Sequence, residues 1–264
     1  MKETPAMTET PETPHNPMSL AGRSVLVTGA SAGIGQATAV LLSRLGARVT
    51  LNGRDEGRLA DTLSRLIGDG HRVAPFDMGD LDAIPGWMKE QAALSGPFHG
   101  VAHCAGIQTL RPIRIFSQDF FDQVMRVNLG SCLALAKGLR QKGVHAERSA
   151  MVFISSTAAT AASPANIVYA AAKGGIIAAT KGLSAELLPD GIRVNCVVPS
   201  IVMTDLIERG FEKLSQEQID HLERLQPLGF GHVDDVAHAI AYLLADTGRW
   251  ITGTALTVDG GRTA

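Results

Sequence analysis

The feature that most constrains this chain is a regular alternation of short apolar runs with helical patterns, which extends from Leu20 to the C-terminus. Seven runs read as strands: 24–28, 48–52, 73–76, 100–103, 151–154, 192–198 and 255–258. Helical patterns lie between or after them: 34–45, 56–67, within 81–94, 118–141, 169–188, 206–225 and 233–244. Strands that alternate with helices form parallel sheets covered on both faces. The sequence therefore predicts an α/β fold, a doubly wound parallel sheet.

The chain is predicted to contain one folded domain and an N-terminal tail. Residues 1–18 are rich in Glu, Thr and Pro and poor in apolar side chains. Such a segment cannot offset its ordering entropy by burial, so we expect a disordered tail. Residues 19–264 contain no linker-like stretch and no repeat of fixed period, which indicates a single domain.

Composition and charge exclude several classes of function. The formal net charge of −2 argues against nucleic acid as an obligatory partner. No apolar run reaches the roughly 18 residues that a membrane span needs, and the polar N-terminus has no signal-peptide pattern. Cys104, Cys132 and Cys196 are odd in number, widely spaced and set in apolar segments, which is typical of reduced thiols. We therefore expect a cytoplasmic protein without a membrane or nucleic-acid partner.

A glycine-rich turn follows the first strand. The segment TGASAGIG places glycines at 29, 33 and 35, between the first strand and the first helix. Glycines permit a tight turn there and let backbone N–H groups approach a pyrophosphate at the helix N-terminus. The spacing is G-x3-G-x-G rather than the usual G-x-G-x-x-G, but its position in an α/β chain indicates a dinucleotide site.

Ser156, Tyr169 and Lys173 form a candidate catalytic set. Tyr169 and Lys173 are four residues apart, so they share one face of the predicted helix. Because a nearby positive charge favours phenolate, we expect Lys173 to lower the pKa of Tyr169 and make it a usable general acid/base. Ser156 lies just after the strand 151–154, at the carboxyl edge of the sheet where ligands bind in open α/β folds. An incidental pair on a small-residue helix would have the same spacing.

In the order and spacing of its motifs, the chain from Leu20 to Gly261 resembles the short-chain dehydrogenase/reductase family. The matching pieces are TGASAGIG, Asp77, HCAG at 103–106, VNL at 127–129, Ser156, YAAAK at 169–173, VVPSIVMTD at 197–205 and the terminal ITGTALTVDGG. The resemblance implies a seven-stranded Rossmann-type sheet, usually in tetramers or dimers. It also implies an oxidoreductase that uses a nicotinamide cofactor.

The resemblance implies a role for each candidate catalytic residue. Tyr169 would exchange a proton with the substrate oxygen, and Ser156 would hydrogen-bond that oxygen. Lys173 would lower the tyrosine pKa and bind the nicotinamide ribose, and Asn128 would hold a water in a proton relay to Lys173. Asn128 also interrupts an apolar stripe of its helix, so it needs buried partners; a purely structural amide would give the same pattern. The implied cofactor contacts are Gly29, Ser31, Gly33, Ile34, Gly35, Asp77, Ala105, Gly106, Pro199 and Thr204.

Two motifs depart from the family pattern. His103 and Cys104 stand where the family usually has Asn-Asn, and Ser200 follows Pro199 where glycine is usual. A histidine that replaces a structural residue is interpreted here as structural, and the serine puts the local backbone geometry in doubt. The remaining histidines show no spacing typical of a metal site, so none is predicted.

The end of the second strand predicts the choice of cofactor. A site that selects NAD places an acidic side chain there to bind the ribose 2′-hydroxyl. This chain has Gly53 at that position and Arg54 next to it, and a guanidinium can bind a 2′-phosphate. Asp55 is predicted to cap the following helix. We therefore expect NADP(H) to be preferred over NAD(H), although an Arg54 that stacks on adenine would suit either cofactor.

Two surfaces suggest a substrate lid and a homo-oligomer. Segment 201–228 is predicted to close over substrate, although amphipathic packing gives the same pattern; its apolar residues are Met203, Leu206, Ile207, Phe211, Leu214, Leu222, Leu225 and Leu228. The helices 118–141 and 169–188 have apolar or small residues on more than one side, which indicates a partner subunit. Those that lie off the Asn128 stripe are Phe120, Met125, Leu129 and Leu133, and Gly174 and Gly175 would allow close packing.

The sequence thus predicts an NADP(H)-dependent oxidoreductase that interconverts a carbonyl and a secondary alcohol, most similar to 3-oxoacyl-acyl-carrier-protein reductases. A sugar or polyol dehydrogenase of the same family is the alternative among enzymes, because fold and catalytic set do not name a substrate. A regulator that senses dinucleotide without turnover is the alternative from another class. The presence of all four candidate catalytic residues argues against a sensor, which has no need of them.

Overall fold

The computed structural model describes residues 16–161 and 164–264, so the predicted tail over residues 1–15 lies outside the described residues. Residues 16–18, which the sequence assigned to the tail, belong to the folded part. The Asn16 side chain accepts a hydrogen bond from the Met18 backbone at 3.0 Å, and Met18 packs against the core.

Seven parallel strands form one sheet in the order β3-β2-β1-β4-β5-β6-β7. They are β1 (Ser24–Thr28), β2 (Arg48–Leu51), β3 (Arg72–Val73), β4 (Phe98–His103), β5 (His145–Ile154), β6 (Ile192–Pro199) and β7 (Ala255–Val258). The predicted doubly wound sheet is confirmed. The strand order reverses between β1 and β4, and in such sheets ligands bind in the crevice outside the carboxyl ends of the strands at this point.

Nine α-helices surround this sheet in the described part of the chain: α1 (Gly33–Arg44), α2 (Glu56–Leu63), α3 (Ile84–Ser95), α4 (Gln118–Met125), α5 (Ser131–Leu139), α6 (Ile167–Leu187), α7 (Asp205–Phe211), α8 (Gln216–Arg224) and α9 (Val233–Leu244). Single 3₁₀ turns occupy Ile113–Ile115, Thr157–Ala159, Leu188–Asp190 and Asp246–Gly248. Within residues 16–161 and 164–264, no helix has both the length and the apolar content required to cross a membrane.

Two apolar cores lie on opposite faces of the sheet because side chains alternate along each strand. Leu26 of β1 packs with α3, α5 and α6, whereas Val25 and Val27 pack with α1, α2 and α9. This division places helices on both faces and leaves the carboxyl edge of the sheet to the loops.

The predicted helix 118–141 is interrupted by a π-helical turn, Arg126–Gly130, between α4 and α5. The Ser131 N–H bonds to the Arg126 carbonyl, five residues back. Side chains bond to nearby carbonyls in the same turn: Asn128 donates to Val124 at 3.0 Å, and the Ser131 hydroxyl donates to Val127 at 2.6 Å. Such side-chain bonds compete with α-helical pairing, and single π-turns are frequent at functional sites.

Three other predicted elements are shorter than expected. The helix 56–67 ends at Leu63. The helix 206–225 is divided into α7 and α8, because Ser215 begins a new helix through reciprocal bonds with Gln218 at 3.3 and 2.9 Å. The strand 73–76 ends at Val73 because Pro75 has no N–H to donate, although Phe76 still donates to Gly53 at 3.0 Å.

Candidate active site

The glycine-rich turn forms a cradle that side chains would fill. Gly29 has a φ of 65°, and a Cβ there would lie 2.7 Å from the backbone nitrogen of Ala105. A Cβ on Gly35 would collide with the carbonyl oxygen of Gly29. The first turn of α1 contains no acidic residue, and its N-cap residue, Ala32, offers no side-chain bond. The N–H groups there are therefore suited to an anion such as a pyrophosphate, so these residues fit a dinucleotide.

The opposite wall of this cleft is formed by the segment after β6. A Cβ on Gly33 would lie 3.2 Å from Cγ2 of Thr204, so the glycine-rich turn and Thr204 face each other. Thr204 caps α7 by accepting a bond from Ile207 at 3.4 Å. Pro199 ends β6, and the backbone of Ser200 does not adopt the left-handed conformation that would require glycine. The departure from Pro-Gly therefore leaves this backbone unstrained.

The end of β2 places Gly53 and Arg54 beside the glycine-rich turn, with Asp55 at the start of α2. A Cβ on Gly53 would lie 3.5 Å from the Ser31 hydroxyl, and Arg54 is exposed next to it. The Asp55 carboxylate accepts the backbone N–H of Arg58 at 3.0 Å, which confirms the predicted helix cap. The exposed Asp77, after β3, accepts a bond from the backbone of Gly79 at 2.9 Å.

The Ser156, Tyr169 and Lys173 side chains are brought together at the carboxyl end of β5. The Lys173 ammonium lies 5.4 Å from the Tyr169 ring centroid and donates to the Ile154 carbonyl at 2.7 Å. The Ser155 hydroxyl donates to the backbone carbonyl of Lys173 at 2.8 Å, which fixes α6 to the end of β5. Ser156 lies close enough to Tyr169 to lower the pKa of the phenol, and its hydroxyl oxygen accepts the Ala158 N–H at 3.1 Å.

Burial determines the protonation states of Tyr169 and Lys173. The prediction that the pKa of Tyr169 is lowered is wrong. Burial raises the pKa of Tyr169 to about 12, although the neighbouring Ser156 hydroxyl opposes the rise. Burial also lowers the pKa of Lys173 to about 8, against the effect of the neighbouring thiols. The sequence shows the spacing of the pair but not its desolvation, which penalises both charged forms. Tyr169 therefore keeps its proton at neutral pH and can donate it.

Asn128 is 1% exposed and lies in the π-turn. Its amide donates to the carbonyls of Val124 and Ile107, both at 3.0 Å, and accepts the Ile107 N–H at 3.3 Å. A Cβ on Gly106 would lie 2.8 Å from Oδ1 of Asn128 and 3.7 Å from Nζ of Lys173. Asn128 thus holds the loop after β4 in place and lies near Lys173; the water relay stays a prediction.

His103 is buried in a polar setting that the sequence did not reveal. Its Nδ1 lies 2.6 Å from the Thr28 hydroxyl and its Nε2 lies 2.7 Å from the Ser131 hydroxyl. Burial, with the charge of Lys173, lowers the pKa of His103 to about 3, so the ring is neutral. Sequence reasoning overlooked Thr28 and Ser131; the available signal was a serine three residues after Asn128 on an otherwise apolar helix face.

Several known proteins are similar in sequence to almost the whole chain. The family model described as enoyl-(acyl carrier protein) reductase matches residues 29–263. The 3-oxoacyl-(acyl-carrier-protein) reductase FabG of Rickettsia conorii is 32% identical over 247 residues, covering 92% of this chain and 98% of the relative. The D-threitol dehydrogenase of Mycolicibacterium smegmatis is 32% identical over 250 residues, covering 92% and 94%.

Solved structures agree. A gluconate 5-dehydrogenase from Burkholderia cenocepacia, in complex with NADP and tartrate, has a TM-score of 0.87 and 30% identity, covering 94% of this chain and 97% of that one. A short-chain type dehydrogenase/reductase from Mycobacterium ulcerans has a TM-score of 0.85 and 29% identity, covering 92% and 90%. The chain therefore belongs to the short-chain dehydrogenase/reductase family.

Proposed function

We propose that this protein is an NADP(H)-dependent oxidoreductase that interconverts a carbonyl group and a secondary alcohol, with Tyr169 as the proton-transferring residue. The observation that carries the proposal is the convergence of Ser156, Tyr169 and Lys173 beside the glycine cradle. The relatives support the reaction class, because they are named as a 3-oxoacyl reductase, a D-threitol dehydrogenase and a gluconate 5-dehydrogenase.

The chemistry divides between the cofactor and the side chains. A bound nicotinamide would supply the hydride in reduction and accept it in oxidation. Tyr169 donates its proton to the carbonyl oxygen, and the Ser156 hydroxyl bonds the same oxygen while charge develops on it. Lys173 favours the phenolate that remains, because its ammonium is close and desolvated. Asn128 holds the neighbouring loop and, in this proposal, a water that returns a proton through Lys173.

The residues that would hold the dinucleotide surround the cleft. The N–H groups at the start of α1 would bind the pyrophosphate, and Gly106, where a Cβ would lie 2.8 Å from Oδ1 of Asn128, keeps the loop after β4 close to Lys173. The other proposed contacts are Gly29, Ser31, Gly33, Ile34, Gly35, Arg54, Asp77, Ala105, Pro199 and Thr204.

The substrate is proposed to be a 3-oxoacyl thioester, which an apolar lid would cover. The lid segment 201–228 exposes Leu206, Leu225 and Leu228, whose exposed fractions are 65%, 39% and 86%. These side chains are free to pack on an acyl chain. A sugar or polyol is the second candidate, because a D-threitol dehydrogenase matches this chain at the same 32% identity as the 3-oxoacyl reductase.

A substrate panel tests the proposal. The purified protein is mixed with NADPH or NADH and with 3-oxoacyl thioesters, simple ketones or ketoses, and loss of nicotinamide absorbance is followed. Oxidation of NADPH by one class is expected and identifies that class. A protein that binds NADPH but reduces no member of the panel would favour the dinucleotide-sensing regulator instead.

Replacing Arg54 with alanine should weaken NADPH binding by one to two orders of magnitude and hardly change NADH binding. A hydrogen bond to a charged group contributes about 1.5 to 3 kcal/mol, and about 1.4 kcal/mol corresponds to tenfold. Fluorescence titration measures both dissociation constants. Arg44→Ala is the matched control, because Arg44 is also exposed but lies at the C-terminal end of α1, away from the glycine-rich turn. Equal losses for both cofactors in Arg54→Ala would refute the NADP(H) preference.

Replacing Gly53 with aspartate should go further and reverse the preference toward NADH. The new Cβ would lie 3.2 Å from Leu59 Cδ2 and 3.5 Å from the Ser31 hydroxyl, so the flexible leucine end can accommodate it. The carboxylate would repel a 2′-phosphate and could accept a bond from a 2′-hydroxyl. The ratio of kcat/KM for NADPH and NADH measures the change; an unchanged ratio would show that the end of β2 does not select the cofactor.

We also propose a homo-oligomer, a tetramer or dimer, that acts in the cytoplasm on a small molecule without nucleic acid or membrane. The exposed face of α6 carries a run of small residues: Ala171, Gly174, Ala178, Gly182 and Ala185. Leu133 of α5 is 46% exposed. By contrast, Phe120 packs within the chain against Val168, and Gly175 lies against Leu129, so these expected partner contacts are internal. A second copy is proposed to cover the remaining surface of α5 and α6.

Light scattering at micromolar concentration should therefore give a mass above that of one 27.8 kDa chain. A Leu133→Glu variant should lower the mass, because a charge would be buried against the partner. Arg44→Glu is the charge control, because Arg44 is exposed on α1 at the opposite face of the sheet. A wild-type monomer would refute the proposal.

A further inference from the structure

A buried chain of hydrogen bonds links the glycine-rich turn to the π-turn. The Ala105 N–H donates to the Thr28 hydroxyl oxygen at 3.2 Å. That oxygen lies 2.6 Å from Nδ1 of His103, and Nε2 of His103 lies 2.7 Å from the Ser131 hydroxyl oxygen. Ser131 in turn donates to the Val127 carbonyl at 2.6 Å. The chain therefore joins β1, the loop after β4 and the start of α5.

Only one assignment of protons satisfies every group in this hydrogen-bond network. A hydroxyl has a single proton, and Ser131 gives it to the Val127 carbonyl, which can only accept. His103 must therefore carry its proton on Nε2 and donate it to Ser131. Nδ1 is then an acceptor for the Thr28 hydroxyl, whose oxygen accepts from Ala105. The ring is neutral in this assignment, which agrees with its burial.

The Ser131 end of the chain stabilises the π-turn itself. In an α-helix the Ser131 N–H would bond to Val127, four residues back. Here that N–H reaches Arg126, and the Ser131 hydroxyl takes the Val127 carbonyl instead. The widened turn presents Asn128 to the backbone of Ile107, beside Gly106.

We propose that His103 is a positioning residue that couples the cofactor loop at Ala105 to the turn that presents Asn128. This inference rests on the proposed function, because Asn128 is expected to serve proton transfer at Tyr169 and Lys173. Histidine can do this because its two ring nitrogens reach partners on both sides. An asparagine at the same position can reach Thr28, but its side chain is too short to bond Ser131 as well.

Matched serine variants test the coupling. Ser131→Ala cuts the link to the π-turn. Ser149→Ala removes a buried hydroxyl that lies 2.9 Å from the carbonyl oxygens of Phe98 and Ala146, in the first half of β5 and away from the carboxyl end of the sheet. Both variants should lose similar thermal stability. Only Ser131→Ala should lower kcat, by tenfold or more, with the NADPH dissociation constant within twofold of wild type. Ser131→Thr should restore kcat, because its hydroxyl can make the same bonds. Equal kcat for the two alanine variants would overturn the inference.

His103→Asn tests the same coupling from the other side. Its loss of kcat should match that of Ser131→Ala, and the double variant should be no worse than either single variant within twofold. If the fold loss of kcat in the double variant equalled the product of the two single losses, the two residues would act separately and the inference would be overturned.

Amide hydrogen exchange provides a readout that does not need turnover. Exchange over residues 126–131 should accelerate at least tenfold in Ser131→Ala and His103→Asn but not in Ser149→Ala. If the wild-type protein turned over no substrate, the proposed function would fail while this arm still tested the coupling. Unchanged exchange in both variants would overturn the coupling alone.

Discussion

Replacing Tyr169 with phenylalanine should abolish carbonyl reduction while leaving NADPH binding almost intact. The hydroxyl is the proton donor of the proposed reaction, and its pKa of about 12 keeps it protonated at neutral pH. Removing a general acid lowers the rate by roughly a hundred- to ten-thousand-fold, which corresponds to about 3 to 5 kcal/mol of barrier. Steady-state kinetics measures the loss, and fluorescence titration measures cofactor binding.

The only other tyrosine of the chain, Tyr242, provides the matched control. It lies on α9 and is 39% exposed, so Tyr242→Phe should keep wild-type kcat. Near wild-type activity in Tyr169→Phe would show that proton transfer does not depend on this hydroxyl. A dinucleotide-sensing regulator would show turnover in none of these proteins.

Replacing Lys173 with methionine should also lower kcat at least a hundredfold while stabilising the protein at neutral pH. The pKa of Lys173 is lowered to about 8, so below pH 8 the folded state holds a desolvated charge. The lowering of the pKa from about 10.4 to about 8 corresponds to about 3 kcal/mol less stability of the folded state at pH values below 8. Methionine has a similar shape and removes the charge, but it leaves the Ile154 carbonyl without its bond from Lys173, at a cost of about 1 kcal/mol. The expected net gain near pH 7 is about 2 kcal/mol.

This gain should disappear as the pH rises. Between about pH 8 and pH 10.4 the unfolded lysine binds a proton that the folded one does not, so wild-type stability from this group increases with pH. Urea unfolding at pH 7 and pH 10 measures the free energy of unfolding of both proteins. The raised pKa values of Cys104, Cys132 and Tyr169 lower the free energy of unfolding at high pH in both proteins. The difference in the free energy of unfolding between the two proteins therefore reports on Lys173.

Lys181→Met is the control for this comparison, because Lys181 lies two turns further along α6 and is exposed. It should change neither kcat nor the pH dependence of stability. A stability difference between wild type and Lys173→Met that is the same at pH 7 and pH 10 would contradict the buried-charge account.

Much of the fold could be predicted because the apolar patterns of the sequence correspond to the buried faces of the observed strands and helices. The strand Ala255–Val258 and the helix Val233–Leu244 match the sequence prediction to the residue. The π-turn at Arg126–Gly130 could not be predicted, because its apolar stripe reads like that of a continuous helix. What makes the turn is side-chain bonding by Asn128 and Ser131, which the pattern of apolar residues does not report.

For the site, sequence spacing predicted neighbours but not their environment. Tyr169 and Lys173 are near each other, as residues four apart on a helix should be. The direction of the Tyr169 pKa was wrong because desolvation depends on what the fold packs around the phenol. His103, Thr28 and Ser131 come from three separate segments, and only the fold brings them into one hydrogen-bonded chain.

Transfer of deuterium tests the central claim most directly. Two samples of NADPH, each deuterated on a different face of C4, are incubated separately with the wild-type protein and the panel of carbonyl compounds. The alcohols formed are analysed by mass spectrometry. Both samples are needed because the face from which hydride is transferred must be found by experiment. The account predicts an alcohol with one deuterium on the carbinol carbon from one of the two cofactors, and none above background from Tyr169→Phe. No alcohol from any compound, or an alcohol without deuterium from both cofactors, would contradict it.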